Sequence, residues 1–348
     1  MKYRKFGKLD WNASVLGFGC MRLPTTDKNP TSPNIDFEKA IDMIRYAIDQ
    51  GVNYVDTAYF YHGGKSEVLV GEALKDGYRD KVRLATKSPL LMIEEEGDFD
   101  RFLDEQLNRL QTDRIDFYLL HNINKRFWKG KVLKFNLFDK LERAVREGKV
   151  VNVGFSFHDD FDLFKTIIDS YDKWDFCQIQ YNYMDIENQA GTRGLKYAAE
   201  KGLAVVIMEP LLGGKLAVPP KDVRAIFDEY DSTRTPVDFA LQWVWNHPEV
   251  TVVLSGMGDI EQVRQNVSSA NNSGANSLTS EDLQLIERVR KKYNERAAIP
   301  CSKCSYCMPC PNGVDIPGVF DIYNQAVAYE NVPLAAHTYK IFIPSEAK

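Results

Sequence analysis

The strongest constraint on the fold is an alternation of short apolar runs with longer segments of helical spacing, repeated eight times between about residues 13 and 270. Most runs are near-continuous Val, Ile, Leu and Phe, which is typical of parallel strands covered by helices. The predicted strands are residues 13–19, 54–58, 82–87, 115–121, 150–156, 176–182, 204–209 and 250–256. Eight such units in about 250 residues predict an α/β protein built on a closed (β/α)8 TIM barrel. A doubly wound sheet is disfavoured, because Gly17 and Gly19 lack the third glycine of a dinucleotide-binding turn.

The chain changes character after residue 270. A polar, turn-rich segment at 271–277 is followed by a predicted helix at 280–293 and then by four closely spaced cysteines. We therefore predict a barrel domain over residues 1–275 and a small, mainly helical extension over residues 276–348. The part of this extension that follows the cysteines is too short to build an independent core.

Charge and hydropathy exclude several classes of protein. The chain has 44 Lys and Arg against 49 Asp and Glu, and no clustered basic helix. Nucleic-acid and membrane surfaces both require concentrated positive charge, so neither is expected as a partner. The longest apolar stretch, residues 203–212, is interrupted by Glu209 and Pro210 and is shorter than the roughly 20 residues that span a bilayer. No apolar signal segment follows the basic N-terminus, so a cytoplasmic protein is expected.

Reactive side chains stand at or just beyond the ends of three successive predicted strands, at Asp56, Tyr61, Lys87 and His121. In a barrel these strand ends converge on one mouth. A phenol is a weak acid at neutral pH, and the Lys87 ammonium beside Tyr61 would lower the pKa of that phenol. Asp56 would keep Lys87 charged, while neutral His121 would polarise a carbonyl oxygen. The set predicts proton transfer at a carbonyl or alcohol oxygen.

These residues lie in segments that resemble the aldo-keto reductase family over roughly residues 1–270. The resemblance is carried by Gln180 and by residues 51–61, 66–74, 85–87, 116–121, 154–156 and 208–212. It implies a reversible NAD(P)H-dependent oxidoreductase that reduces an aldehyde or ketone to an alcohol, with a small carbonyl or alcohol compound as substrate. In the family's catalytic tetrad, Tyr61 would be the general acid for reduction and the general base for alcohol oxidation.

The same resemblance implies a set of cofactor contacts. Ser156 and Gln180 match the residues that hold the nicotinamide carboxamide, and Met208 stands where many members stack a tyrosine on the ring. The adenosine end of the cofactor would meet the segment that contains Ser255, Gly256, Gln262 and Asn266. Residues 255–262 include no Lys or Arg to bind a 2′-phosphate, and Asp259 and Glu261 would repel one. The expected cofactor is therefore NADP(H) or NAD(H).

The cysteine motif at residues 301–311 predicts a metal site. Cys301, Cys304, Cys307 and Cys310 recur at every third position, and Pro311 follows the last of them. Such a loop can wrap an iron–sulfur cubane, and a terminal Cys-Pro is typical of bacterial ferredoxin motifs, although the final spacing there is three residues. Structural zinc is the alternative, but it is usually bound by two separated ligand pairs. We predict a [4Fe–4S] cluster held by these four cysteines.

This motif and the Gly-Val-Asp-Ile-Pro that follows it resemble the C-terminal ferredoxin-like extension found in a subset of aldo-keto reductases. The role of the cluster stays open among a structural clasp, a redox or oxygen sensor and a port to an external electron carrier. The alternative to a carbonyl reductase is a redox sensor that binds nicotinamide nucleotide without turnover, or an electron-transfer protein.

Overall fold

The computed structural model of the protein describes residues 1–301, residue 304 and residues 306–343. The strands found there are β1 Tyr3–Lys5, β2 Asn12–Ser14, β3 Leu16–Gly19, β4 Tyr54–Asp56, β5 Arg83–Ser88, β6 Ile115–Ile123, β7 Val150–Phe157, β8 Phe176–Gln180, β9 Ala204–Met208 and β10 Val250–Gly256.

The helices of the same residues are α1 Phe37–Asp49, α2 Lys65–Ala73, α3 Asp98–Leu110, α4 Lys125–Phe127, α5 Leu137–Arg146, α6 Phe161–Asp169, α7 Gly191–Glu200, α8 Lys221–Tyr230, α9 Pro236–Trp245, α10 Ile260–Asn271, α11 Ser280–Glu295, α12 Ile316–Ala328 and α13 Val332–Phe342. Across this described part of the chain, no helix has the length and apolar character needed to cross a membrane.

Eight parallel strands, β3 to β10, close into a barrel in which each strand pairs with its neighbour in sequence and β10 pairs with β3. This confirms the predicted TIM barrel. At the closure, Gly256 pairs with Gly19 and Ser255 with Phe18, so the last strand ends beside the end of the first. The loop after β10 therefore lies next to the loop after β3, and both border the mouth at the carboxyl ends of the strands.

The opposite end of the barrel is closed by a hairpin. The predicted strand 13–19 is in fact two strands, because β2 pairs with β1 in an antiparallel hairpin and only β3 enters the barrel wall. Phe6, at the turn of this hairpin, is fully buried. Its ring centroid lies 4.5 Å from that of Phe117 and 5.7 Å from that of Phe176. These aromatic contacts fill the bottom of the barrel and leave the mouth at the other end for polar residues.

Side chains cap the first turn of several helices. Asp36 accepts a hydrogen bond from the Lys39 backbone N–H at the start of α1, and Asp259 does the same for Gln262 at the start of α10. Such caps satisfy backbone donors that have no partner inside the helix. The cap on α10 fixes the segment that the sequence assigns to the adenosine end of the cofactor.

The chain divides into two compact units. The first contains Met1–Pro210 and Leu241–Ser277, and the second contains Leu211–Ala240 and the described residues from Leu278 onward. In the second unit, α8 packs on α11. Arg296, just after α11, donates to Asp222 of α8 at 2.7 Å and also pairs with Glu330. The long segment between β9 and α9 thus contains a helix, α8, that belongs with the C-terminal helices.

Candidate active site

Three adjacent strands carry the four predicted catalytic residues to the mouth of the barrel. Asp56 is the last residue of β4, Lys87 is the second last of β5, and His121 lies near the end of β6. Tyr61 begins a short 3₁₀ turn, Tyr61–Gly64, that follows β4. Because the strands are parallel, their carboxyl ends share one face of the barrel, and the four side chains meet there.

Lys87 connects the members of this group. Its Nζ donates to Asp56 Oδ1 at 2.6 Å, to the backbone oxygen of Thr57 at 2.7 Å and to Tyr61 Oη at 3.3 Å. The side chains of Lys87 and Asp56 are only 1% and 3% exposed, so water hardly screens their attraction. The ammonium is therefore held in one place, next to the phenol that the sequence assigns to proton transfer.

Burial and charge act in opposite directions on the ionisation of these groups. Burial raises the pKa of Tyr61 above that of a free phenol, and the Lys87 ammonium opposes this shift. The effect of Lys87 has the predicted sign, but burial is larger and the net shift is upward. Burial also disfavours the charged form of Lys87, but Asp56 and Tyr61 outweigh it and the pKa of Lys87 is raised. Lys87 therefore stays charged, as predicted.

His121 is neutral, as the sequence reasoning requires. Burial, together with the charges of Lys87 and His158, holds the pKa of His121 well below its usual value. The ring lies edge-on to Tyr61, with centroids 6.2 Å apart. Tyr61 and His121 are both half-buried, whereas Lys87 and Asp56 are not accessible. The phenol and the imidazole are thus the two members of the group that a substrate in the mouth can reach.

The residues predicted to meet the nicotinamide lie at the ends of the next three strands. Ser156 Oγ accepts a hydrogen bond from the Asn122 backbone N–H at 2.8 Å, which leaves its own hydrogen available to a carboxamide oxygen. Gln180 donates through Nε2 to Asp185 at 2.7 Å, and its Oε1 accepts from the amide of Gln189 at 2.9 Å. Gln180 is therefore oriented with its oxygen towards an amide donor. Met208, at the end of β9, is half-buried.

The residues predicted for the adenosine end lie at the end of β10 and in the first turns of α10. Asn266 and Ser255 are both buried, and Asn266 Nδ2 donates to Ser255 Oγ at 2.9 Å. Gln262 Oε1 accepts from the Gly258 backbone N–H at 2.9 Å and so closes the loop that begins at Gly256. The candidate cofactor residues thus follow β7 to β10 around the mouth, directly after the strands that carry the candidate catalytic residues.

Arg22 borders the candidate cofactor loop, and sequence reasoning missed it. A Cβ placed on Gly256 would lie 3.4 Å from the Cβ of Arg22, so this side chain borders the loop that lacks a cation of its own. Beside it is a pocket of about 730 Å³ whose lining includes Arg22, Lys28, Lys39 and Asp259. The pairing of Gly19 with Gly256 could have indicated this, since Arg22 follows Gly19 by three residues.

The cysteine motif is the part of the prediction that the structure does not assemble. Cys301 and Cys310 are partly buried, Cys304 and Cys307 are exposed, and none of them forms a disulfide. Within residues 1–301, 304 and 306–343, no group of three or more His, Cys, Asp or Glu side chains could hold a metal ion. Residues 302, 303 and 305 of the motif lie outside the described residues.

Relatives of known sequence resemble most of this chain. The oxidoreductase YqkF of Bacillus subtilis is 26% identical over 84% of this chain and 97% of its own length. A probable aldo-keto reductase of Glycine max is 27% identical over 81% of this chain and 87% of its own length.

Solved structures and a family model agree with these relatives. The holo form of an aldo-keto reductase from Bacillus halodurans, AKR11C1, matches 83% of this chain and 96% of its own with a TM-score of 0.68 and 27% identity. The thermostable aldo-keto reductase Tm1743, solved with the inhibitor epalrestat, shares the fold with a TM-score of 0.67 at 24% identity over 83% of this chain and 100% of its own. The model of the aldo/keto reductase family matches residues 15–291, which end before the cysteine motif. The chain therefore belongs to the aldo/keto reductase family and is an oxidoreductase.

Proposed function

We propose that the protein catalyses reversible, NAD(P)H-dependent reduction of an aldehyde or ketone at the mouth formed by β4, β5 and β6. The observation that carries the proposal is the position of Lys87 Nζ, which contacts Asp56, the Thr57 carbonyl and the Tyr61 hydroxyl at once. Neutral His121 stands beside the same phenol. A positioned acid, a fixed cation and a hydrogen-bond donor are what carbonyl reduction requires.

Each residue has a separate part in the proposed reaction. Tyr61 gives its proton to the carbonyl oxygen during reduction, and Lys87 stabilises the phenolate that remains. His121 donates a hydrogen bond to the same oxygen and orients it. Asp56 keeps Lys87 charged and in place. The bound NAD(P)H supplies the hydride, which is the chemistry that the protein itself lacks.

The side chains around the mouth fit a nicotinamide nucleotide. Ser156 has a hydroxyl hydrogen to offer to the carboxamide oxygen, and Gln180 Oε1 already accepts from an amide nitrogen at 2.9 Å, that of Gln189. Met208 would lie against the ring. Ser255, Gly256, Gln262 and Asn266 would hold the adenosine end, and Arg22 would supply a cation there.

The variant Tyr61→Phe tests the assignment of the general acid. Loss of a positioned acid lowers rates by roughly 10²–10⁴-fold, so reduction of every aldehyde in a panel should fall by that factor. NADPH and NADH binding, followed by fluorescence, should be retained. Tyr59→Phe is the matched control, because it removes a nearby phenol that bonds Glu105 at 2.9 Å. Normal turnover in Tyr61→Phe would refute the assignment, and binding without turnover in the parent protein would favour the redox sensor.

A [4Fe–4S] cluster at Cys301, Cys304, Cys307 and Cys310 is a separate part of the proposal. It is supported by the sequence alone, through the spacing of the motif and its resemblance to a ferredoxin-like extension, because the described geometry offers no ready set of ligands. Ligand sets of this kind commonly form only when the metal binds. No catalytic step is assigned to the cluster, and its role as clasp, sensor or port to an electron carrier stays open. The predicted cytoplasmic location also remains a prediction.

Analysis of iron, sulfide and zinc after anaerobic purification tests the cluster. About four irons and four sulfides per chain are expected. Cys307→Ser should lose most of the iron, whereas Cys177→Ser, which changes a buried barrel cysteine outside the motif, should keep it. Zinc in the parent protein, or no metal at all, would refute the iron–sulfur assignment and leave the reductase proposal intact.

A further inference from the structure

We propose that Gln106 and Glu67 are positioning residues for catalysis, which hold the backbone of Lys87 and thereby set the distance between Lys87 Nζ and Tyr61 Oη. Both residues belong to helices outside the barrel wall, and their hydrogen bonds go to the backbone of Lys87 and to neighbouring polar side chains rather than to the four reacting side chains. The inference rests on the function proposed for Tyr61.

Strand β5 links the surrounding helices to the mouth of the barrel, because its residues alternate between the two faces of the barrel wall. Successive side chains of a strand point to opposite faces, so Lys87 faces the barrel interior while Thr86 faces the helices. Gln106 of α3 and Glu67 of α2 are both 0% exposed. Their polar ends reach the outer face of β5 at Thr86 and at the Lys87 carbonyl.

Gln106 is held by hydrogen-bond partners on both ends of its amide. The two hydrogens of its Nε2 face three acceptors, Glu67 Oε1 at 2.6 Å, Thr86 Oγ1 at 3.1 Å and the backbone oxygen of Lys87 at 3.1 Å, so one hydrogen is shared between two of them. Its Oε1 accepts from the hydroxyl of Tyr118 at 2.8 Å. Three acceptors surround the amide nitrogen, so the amide has one orientation even without Tyr118. The Lys87 carbonyl is thus bonded to a group that cannot rotate away.

Glu67 is the anion on which this arrangement depends. Its Oε1 accepts from both Gln106 and Thr86, at 2.6 and 2.7 Å, and its Oε2 accepts from Arg109 at 3.3 Å. A fully buried carboxylate is costly unless it is paired and hydrogen-bonded. These three donors oppose the effect of burial, which is the larger effect and raises the pKa of Glu67.

The residue before Glu67 supports the other end of the Lys87 side chain. Ser66 Oγ lies 2.8 Å from Thr57 Oγ1 and donates to the Cys20 carbonyl at 3.0 Å. The Thr57 carbonyl in turn accepts from Lys87 Nζ at 2.7 Å. The start of α2 therefore fixes both the backbone of Lys87, through Gln106, and one acceptor of its ammonium. A flexible lysine stem fixed at both ends has little freedom to move away from the phenol.

The test compares Gln106→Met with two controls. Gln106→Met removes the bond to the Lys87 carbonyl while keeping a side chain of similar length. Tyr118→Phe removes a buried hydroxyl from the same network without touching Lys87, and Glu72→Gln changes an outward-facing carboxylate of α2 that pairs with Lys75. For each variant, kcat, KM, NADPH affinity, thermal stability and the pH profile of kcat are measured with aldehyde reduction and alcohol oxidation.

Gln106→Met should lower kcat by about tenfold or more, with KM and NADPH affinity within about twofold of the parent values. If Lys87 Nζ is held less firmly beside Tyr61, its charge lowers the pKa of Tyr61 less, and that pKa rises. The part of each pH profile that reports the ionisation of Tyr61, here called the Tyr61 limb, should therefore move to higher pH. Tyr118→Phe should lower thermal stability without moving this limb, and Glu72→Gln should change neither. If Gln106→Met lowers stability but leaves kcat and the limb unchanged, Gln106 is only structural and the inference is overturned.

Failure of the proposed function can be told apart from failure of this inference. If the parent protein reduces no carbonyl in the panel, the proposed function fails. The pKa of Tyr61 can still be measured from tyrosinate absorbance. In the parent and in Gln106→Met, the part of the pH-dependent absorbance that is lost when Tyr61→Phe is added belongs to Tyr61. A higher Tyr61 pKa in the Gln106→Met background supports the inference, and an equal pKa in both overturns it.

Discussion

Removing the charge of Lys87 alone should destabilise the protein more than removing the charges of Lys87 and Asp56 together. The two side chains are 1% and 3% exposed and their charged atoms are 2.6 Å apart. Leaving one member of such a pair buried without its partner costs about 3–5 kcal/mol. Lys87→Met should therefore lower the free energy of unfolding by about that amount at neutral pH.

The double variant Asp56→Asn/Lys87→Met removes the uncompensated charge and should regain much of the loss. It still leaves the Thr57 carbonyl without the Lys87 donor, and an unsatisfied buried acceptor costs about 1–3 kcal/mol. The expected order of stability is parent, then double variant, then Lys87→Met. Lys149→Met is the surface control, because its pair with Asp104 is 35% and 55% exposed and should contribute at most about 1 kcal/mol.

The pH dependence of Lys87→Met gives a second check. Burial already raises the pKa of Asp56 in the folded protein, and without Lys87 nothing of opposite charge opposes that shift. The folded state then binds a proton more tightly than the unfolded state, whose Asp pKa is about 3.9. The stability of the variant should therefore fall as pH rises from about 4 through its folded pKa, by up to about 1.4 kcal/mol per pH unit, and the fall should continue to higher pH than in the parent, where Lys87 limits the rise of the Asp56 pKa.

Urea unfolding followed by tryptophan fluorescence, at several pH values between 5 and 8, measures these differences. The reasoning would be refuted if Lys87→Met were as stable as the double variant at every pH, because Asp56 would then not be an uncompensated buried charge.

Three further predictions concern stability and cofactor binding. Burial lowers the pKa of His62 and His247 in the folded state, so the unfolded chain binds more protons than the folded chain below pH about 6.5. The free energy of unfolding should therefore decrease as the pH falls from 7.5 to 5.5 in urea titrations. A free energy that does not change with pH would contradict this. Gly154→Ala should cost about 1–3 kcal/mol, because its Cβ would lie 2.5 Å from the Phe176 ring, whereas Gly97→Ala, with no atom within 4 Å, should not show this loss in a thermal melt. Arg22→Gln should weaken NADPH binding by about tenfold in a fluorescence titration, because a charge-assisted hydrogen bond to the cofactor would be lost, and unchanged affinity would exclude Arg22 from the cofactor site.

The barrel and the candidate catalytic group could be predicted because both depend on local pattern. The apolar runs marked the strands, and parallel strands in a closed barrel place their carboxyl ends at one mouth. Asp56, Lys87 and His121 were thus expected to converge, and Tyr61 was added because it follows Asp56 by five residues and matches the tetrad of the family that the sequence resembles.

Contacts between distant elements could not be predicted in the same way. Gln106 and Glu67 are ordinary polar residues in helices, and only the crossing of α2 and α3 over β5 brings them to the Lys87 carbonyl. The division of the first predicted strand was missed because an apolar run does not show where one strand ends and the next begins. The helix α8 is not marked by the sequence pattern, because the segment from 211 to 235 contains Gly and Pro residues that also occur in loops.

The ionisation of Tyr61 was the hardest property to predict, because two effects of opposite sign act on it. From sequence, only the nearby Lys87 could be weighed, and it favours the phenolate. The fold adds burial, which favours the neutral phenol and is the larger effect. In the protein alone, Tyr61 therefore carries its proton at neutral pH, which is the state that reduction needs from a general acid. Alcohol oxidation needs the phenolate, so the approach of Lys87 at 3.3 Å, and whatever fixes it, matters more for oxidation than for reduction.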